Sequence, residues 1–248
     1  MPGQLMLVFL SGLISGLFVN YLADVLPRSR RFTEPVCLSC GQFRTWKEFA
    51  LGKPCAACGR KNSVRFWIVI ILEIILAGLV WFFPLGNFPF WASELFLLVF
   101  SVMIVTDIEF RVILEQVTIA GYILSFFAGL FLHGLNKTIL GGISGFLLFL
   151  ALYYFGRLFA RRLAHNREEP IDEEALGFGD VHLAGVVGLL TGFPFNLTAM
   201  LLAIILGGIA SIVIIVITLV RKQYQAFMAI PYGPFIIIGG IAALYYYL

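Results

Sequence analysis

The chain has 248 residues, of which 60% are hydrophobic and 12% charged, and its mean hydropathy is +0.97. Soluble domains run nearer half apolar and a quarter charged, so this composition leaves too little polar side chain to cover a water-soluble globule. Disorder, coiled coil and a secreted disulfide scaffold are excluded on the same ground. The net charge of +3 says little as a total and much by position.

Taken in chain order, apolar blocks long enough to cross about 30 Å of hydrocarbon predict an all-α polytopic membrane protein with about eight transmembrane helices. They fall at 4–26, 66–83, 91–106, 114–133, 138–160, 180–193, 196–220 and 230–247. No basic residue precedes the first block and no small-x-small site follows it, so it is expected to be a retained helix rather than a signal peptide. Gly12 with Gly16, and Gly141 with Gly145, make two small-xxx-small pairs suited to close helix packing. The expected domains are a first helix (1–27), a cytoplasmic module (28–65) and a multi-helix membrane domain (66–248). No internal repeat of the kind that builds transporters is evident.

Of the 17 Lys and Arg residues, nine lie at 28–65 and four at 157–167; Lys137 alone falls in an even-numbered loop. The positive-inside rule then predicts that the odd-numbered loops are cytoplasmic and both termini outside. Residues 28–65 and the charged loop at about 161–179 are the cytosolic modules on this topology.

The first module holds all four cysteines, as Cys37-Leu-Ser-Cys40 and Cys55-Ala-Ala-Cys58 with 14 residues between the pairs. Two such turns supply a tetrahedral thiolate set, and Gly41 and Gly59, directly after each pair, suit the tight turns. In a reducing cytosol a structural zinc is the expected reading, against free or redox thiols. Four thiolates leave no open coordination position, so the zinc would not be catalytic.

Ionisable groups within apolar spans are costly, and each calls for an explanation. Glu94 is expected to be a solvated helix start near the outer boundary, and Asp24 to lie at the cytosolic end of the first span. Glu73, about two turns inside the second span, needs a partner or a cavity. Asp107 closes the third span and Asp180 opens the sixth, which puts both carboxylates at one cytoplasmic level. Paired carboxylates can act as an acid–base unit, one activating water while the other polarises a carbonyl. Two glycines stand just before the second acid, in Gly177-Phe178-Gly179-Asp180, and would let backbone approach a ligand closely. The ordinary alternative is that Asp180 only caps its helix.

Gly177-x-Gly179-Asp180 resembles the GxGD signature of intramembrane aspartyl proteases. Asp107-Ile-Glu-Phe-Arg-Val-Ile-Leu-Glu-Gln-Val-Thr118 is similar to the first-aspartate segment of bacterial type IV prepilin peptidases. Gly16-Leu-Phe18-Val-Asn20 followed by Leu26-Pro27, the double CxxC, Glu73 and Ile230-Pro-Tyr-Gly-Pro-Phe235 follow the same family's order along nearly the whole chain. The chain departs from the family's pattern at Val25, at Leu114 and in the short stretch between the cysteine pairs.

The resemblance implies an aspartic endopeptidase with Asp107 and Asp180 catalytic and Gly177, Phe178 and Gly179 at the substrate. It would cleave prepilin or pseudopilin precursors between a basic leader and an apolar helix, at the cytoplasmic face of the bacterial inner membrane. It implies membrane lipid but no nucleic acid as a partner. For many bacterial members it also implies N-methylation of the new terminus from S-adenosylmethionine, for which no glycine-rich nucleotide signature is readable here. The acidic run Glu168, Glu169, Asp172, Glu173 and Glu174 could attract a basic leader, or simply be a solvated loop. Helix dipoles favour an anion at Asp180 and disfavour one at Asp107, which would make Asp180 the base.

Three other classes are weighed. Gly142-Ile-Ser144-Gly145 spells the GxSG of a rhomboid-like serine protease, for which only His133 lies at a suitable depth as base. A membrane zincin would need HExxH, which does not occur. A non-enzymatic transporter or scaffold with a zinc-stabilised loop would use the intramembrane acids as proton or ion sites.

Overall fold

Each of the eight apolar blocks forms a helix in the structure, a computed structural model that describes residues 2–165, 176–222 and 230–247. The helices are α1 (Pro2–Ser29), a short α2 (Trp46–Ala50), α3 (Val64–Phe82), α4 (Phe90–Phe110) and α5 (Glu115–His133). They continue with α6 (Leu135–His165), α7 (Phe178–Thr191), α8 (Phe195–Val220) and α9 (Gly233–Tyr247). Six of them, α1, α3, α4, α5, α6 and α8, are long and apolar enough to cross a membrane. This is a multi-pass membrane protein. The other two apolar helices, α7 and α9, are shorter: the 14 residues of α7 extend only about 21 Å at about 1.5 Å per residue. Most of α7 is buried within protein, including Val181, Leu183, Ala184, Val186 and Val187, so its length is not set by the bilayer.

The chain divides into two compact units, Met1–Thr106 and Asp107–Leu248, with the break near the end of α4. In the first unit α1 packs on α3 through the predicted glycines. A Cβ on Gly12 would stand 2.7 Å from Ile74 Cα, and one on Gly16 would stand 2.8 Å from Ile70 Cα. Lipid gives no hydrophobic drive between helices, so close backbones and buried hydrogen bonds hold them instead. Asn20 supplies one such bond, donating from Nδ2 to the Phe66 carbonyl of α3 (3.1 Å) while also bonding the Gly16 carbonyl of its own helix (2.9 Å). Glu73 is buried at the same crossing and accepts a hydrogen bond from the Ser101 hydroxyl. Asp24 is buried and ion-paired with Arg65.

Glu94 corrects the sequence expectation. Instead of lying in water it is buried and accepts a 3.0 Å hydrogen bond from Ser15 Oγ. Four residues into α4, hydropathy alone could not show that α1 brings a serine to it.

Between α1 and α3 runs the cysteine module. Its α2 begins with a capping box, Thr45 Oγ1 accepting from the Glu48 N–H while Glu48 accepts from that of Thr45. The buried Phe49 anchors α2, with its ring edge-on to Phe66 of α3 at 5.5 Å.

In the second unit α6 lies against α7 along Gly141 and Gly145. A Cβ on Gly145 would stand 2.6 Å from the Ala184 carbonyl oxygen, and one on Gly141 would stand 2.8 Å from Gly192 Cα. From α8, Asn196 Nδ2 donates to the Gly141 carbonyl (3.1 Å) and to Ser144 Oγ (2.8 Å), fixing a third helix to this seam.

Candidate functional site

Arg111 adopts a left-handed φ of 54° just beyond α4, and its N–H bonds the Asp107 carbonyl at 2.9 Å. This stops the helix one turn after Asp107. The Asp107 side chain is buried, and its Oδ2 accepts a 2.9 Å hydrogen bond from the backbone N–H of Gly233, the first residue of α9. A Cβ at 233 would stand 2.8 Å from that same oxygen, so any side chain there would have to displace the carboxylate.

Asp180 enters from α7. The N-cap is Gly177, with an extended φ of −73°, and Asp180 is the third helical residue, reaching back to accept the Gly177 N–H at 3.2 Å. Asp180 is therefore not the N-cap that the ordinary reading of an acid at a helix start would make it. The two glycines also serve purposes other than positive φ. Gly179 makes room for the segment after α4, since a Cβ on it would stand 2.9 Å from Ile113 Cβ. Gly177 supplies the N–H that holds the carboxylate.

Three helix ends thus converge: the last turn of α4 and the first turns of α7 and α9. Asp107 lies close enough for its charge to act on Asp180, and Asp180 in turn acts on the Tyr232 phenol. Both acids are buried, and Oδ1 of Asp180 has no hydrogen-bond partner among the described residues. The dipole asymmetry expected from the sequence is offset, because Asp107 takes an N–H from the start of α9 as Asp180 does from the start of α7. Helix ends alone therefore do not decide which acid is the base. Chemically, the pair can hold a water or a carbonyl oxygen between two carboxyl groups out of bulk solvent.

Phe178, the first residue of α7, is 47% exposed, with its ring edge-on to His182 at 5.1 Å and to Tyr153 at 5.7 Å. His182, one turn along, has Nδ1 3.2 Å from the Tyr122 hydroxyl.

The four cysteines meet as two similar knuckles. Gly41 N–H bonds the Cys37 carbonyl at 2.9 Å and Gly59 N–H bonds that of Cys55 at 2.8 Å. Both glycines have left-handed φ, 73° and 69°, as the tight turns require. Each knuckle offers one buried sulfur (Cys37, Cys55) and one exposed (Cys40, Cys58). All four sulfurs lie within 4.8 Å of one another and could hold a metal ion, with Cys37–Cys58 at 3.7 Å and Cys40–Cys55 at 3.8 Å. A tetrahedron with metal–sulfur bonds of about 2.3 Å has edges of about 3.8 Å, whereas a disulfide would need about 2.05 Å. Burial raises the Cys37 thiol, but backbone hydrogen bonds from Cys40 and Ser39 outweigh it and bring the group down to about 6. The Gln42 backbone favours the Cys40 thiolate, yet desolvation and the other three sulfurs push that thiol up to about 11. Sulfurs this close cannot all ionise without a cation among them.

The model of the Type IV leader peptidase family matches residues 94–212, which include both Asp107 and Asp180. That segment is similar to the type IV leader peptidase family. The chain is 28% identical over 230 residues to the prepilin leader peptidase/N-methyltransferase of Myxococcus xanthus, covering 85% of this chain and 63% of that protein. It is 25% identical over 234 residues to the protein of the same name from Pseudomonas aeruginosa, covering 89% and 72%. The one from Stutzerimonas stutzeri is 25% identical over 233 residues, covering 88% and 72%. The chain therefore spans between about three fifths and three quarters of these relatives' lengths. No solved structure matches it.

These likenesses give the serine protease reading no support, and the side chains agree. Ser144 Oγ donates to the Leu140 and Gly141 carbonyls and accepts from Asn196, while His133 Nε2 lies 3.2 Å from the Leu190 carbonyl oxygen. The acidic run at 168–174 lies outside the described residues. Sequence reasoning did not find that Gly233 holds Asp107, that Ile113 packs on Gly179 or that Tyr122 meets His182. The signal for Gly233 was present in Ile230-Pro-Tyr-Gly-Pro-Phe235, where a glycine stands among bulky residues at a helix start. The other two contacts had none.

Proposed function

We propose that this chain is an aspartic endopeptidase of the bacterial inner membrane. It removes the basic leader from prepilin or pseudopilin precursors at the cytoplasmic face, with Asp107 and Asp180 as the catalytic pair. The observation that carries the reading is the pair itself. Two buried carboxylates 73 residues apart in sequence interact at converging helix ends, and one of them has an oxygen without a hydrogen-bond partner among the described residues.

In the mechanism one carboxylate takes a proton from water as its oxygen attacks the scissile carbonyl, and the other carboxyl donates a hydrogen bond to the carbonyl oxygen. The tetrahedral intermediate then collapses, the C–N bond breaks, and the leaving amide nitrogen takes up a proton from the pair. The two acids titrate as one unit. The N–H groups of Gly233 and Gly177 hold the carboxylates in place, and the Gly177–Gly179 backbone with Phe178 lines the substrate's approach.

The ion in the cysteine site is zinc on this reading, held by Cys37, Cys40, Cys55 and Cys58. The sulfur spacing and the all-thiolate donor set support it, and its role is structural because no coordination position is left open. The relatives' names also include N-methyltransferase, and methylation of the new N-terminus from S-adenosylmethionine is the second activity we propose. Among the described residues no strand–glycine turn–helix cradle for a nucleotide occurs, so no step above is routed through that cofactor.

The test is to co-express the chain with a prepilin-like substrate and weigh the product, which reports cleavage and an added methyl together. Asp107→Asn and Asp180→Asn should each lower cleavage by about 10²–10⁴-fold or more. Unaltered cleavage by either variant removes that residue from the mechanism.

A further inference from the structure

Beneath the cysteine module, where α1 ends and α3 begins, the first unit has an open cavity of about 740 Å³ that the proposed peptidase chemistry does not use. Four cationic side chains line it, Arg44, Arg60, Lys61 and Arg65, against a single carboxylate, Asp24. That acid is ion-paired with Arg65. Among the described residues no acidic side chain pairs with Arg60 or Lys61, so the wall keeps a surplus of positive charge.

Hydrogen-bond donors add to it. Arg44 is only 7% exposed; Nη1 donates to Asn62 Oδ1 at 2.8 Å and Nη2 to backbone carbonyls of Glu48 and Lys53. Among the described residues its Nε, like Asn62 Nδ2, has no hydrogen-bond partner. Ser63, the N-cap of α3, makes no side-chain cap bond, and it lines the cavity with Val64 and Arg65 at the positive end of the helix dipole. A helix start beside several cations, one of them buried with an unmet donor, is an anion site.

The depth identifies the anion. Val64 is the first residue of a candidate membrane span, and Val64 and Trp67 are 75% and 50% exposed. An exposed Trp within the first turn of a span marks the headgroup level. Basic pockets at that level take phosphate headgroups, and the wall has the wrong sign for a basic leader.

We propose that this cavity binds a phosphate group at the membrane surface, carried either by an acidic phospholipid headgroup or by free phosphate. The inference does not rest on the peptidase reading, and its test does not measure cleavage.

The full chain is reconstituted in nanodiscs of phosphatidylcholine alone, of phosphatidylcholine with phosphatidylglycerol, or of phosphatidylcholine with inorganic phosphate in the buffer at matched ionic strength. Thermal unfolding, bound lipid by native mass spectrometry, and metal content are read for the native protein, Arg60→Gln/Lys61→Gln and Arg60→Lys/Lys61→Arg. Arg44 is left intact because it ties the module together. Phosphatidylglycerol retention and stabilisation that fall about fivefold per cation removed, return in the charge-conserving variant and leave metal content unchanged establish the headgroup as source. The same pattern with inorganic phosphate alone establishes the free anion. Equal retention by the native and Gln variants overturns the proposal. So does loss of metal without change in lipid or phosphate binding, which would assign the cations to the thiolates.

Discussion

Gly233 and Asp107, 126 residues apart, are joined by one hydrogen bond from the glycine N–H to Oδ2, 2.9 Å long. Around this bond the start of α9 and the last turn of α4 are locked together. A Cβ at 233 would stand 2.8 Å from the same oxygen, so Gly233→Ala must displace the carboxylate. We expect a drop of about 10²-fold in cleavage, the penalty for a misplacement on the order of 1 Å, and a stability loss of about 1–3 kcal/mol. Turnover measured beside thermal unfolding checks this. Native turnover in a well-folded Gly233→Ala protein would show that the bond does not position Asp107.

Gly188 is the equivalent point on α7. Its Cα faces the Gly141 carbonyl of α6, and a Cβ would meet that backbone directly. Gly188→Val should push α6 and α7 apart, carrying Asp180 with them. The expected result is destabilisation of about 1–3 kcal/mol and loss of most cleavage, whereas a change at the lipid-exposed Ile205 should alter neither. Detergent-solubilised melting curves compare the two.

The cysteine site predicts both metal content and a pH response. Cys37→Ser or Cys55→Ser should lose the ion and open the segment between α1 and α3 to proteases, read by metal analysis and limited proteolysis. Metal binding needs thiolates, so protons compete for the site. With Cys40 pushed up to about 11 in the metal-free cluster, proton competition persists across the neutral range. Apparent affinity should rise as pH rises and fall as it drops, followed by competition with a chromogenic chelator. Affinity independent of pH would argue against thiolate ligation.

Ser144→Ala separates aspartic from serine chemistry. Asn196 Nδ2 keeps its bond to the Gly141 carbonyl at 3.1 Å, so the fold should survive with cleavage within about twofold of native. A loss on the order of 10³-fold, as for removal of a nucleophile, would reopen the serine reading.

Local chemistry carried much of this protein in its sequence alone. Apolar runs become helices because backbone polar groups in lipid must be satisfied within their own segment. The CxxC spacing with Gly41 and Gly59 makes each knuckle a local turn, and Gly12, Gly16, Gly141 and Gly145 announce close packing because they lack a Cβ. Asp107 and Asp180 stood out because carboxylates at span ends are costly. What the tertiary structure decided is which distant group answers each of them. That Ser15 meets Glu94, that Gly233 holds Asp107, that Ile113 lies against Gly179 and that α7 is buried in protein all depend on contacts between segments remote in the chain. Periodicity and spacing describe one segment at a time, and a hydrogen bond across the fold exists only once both of its ends have been placed.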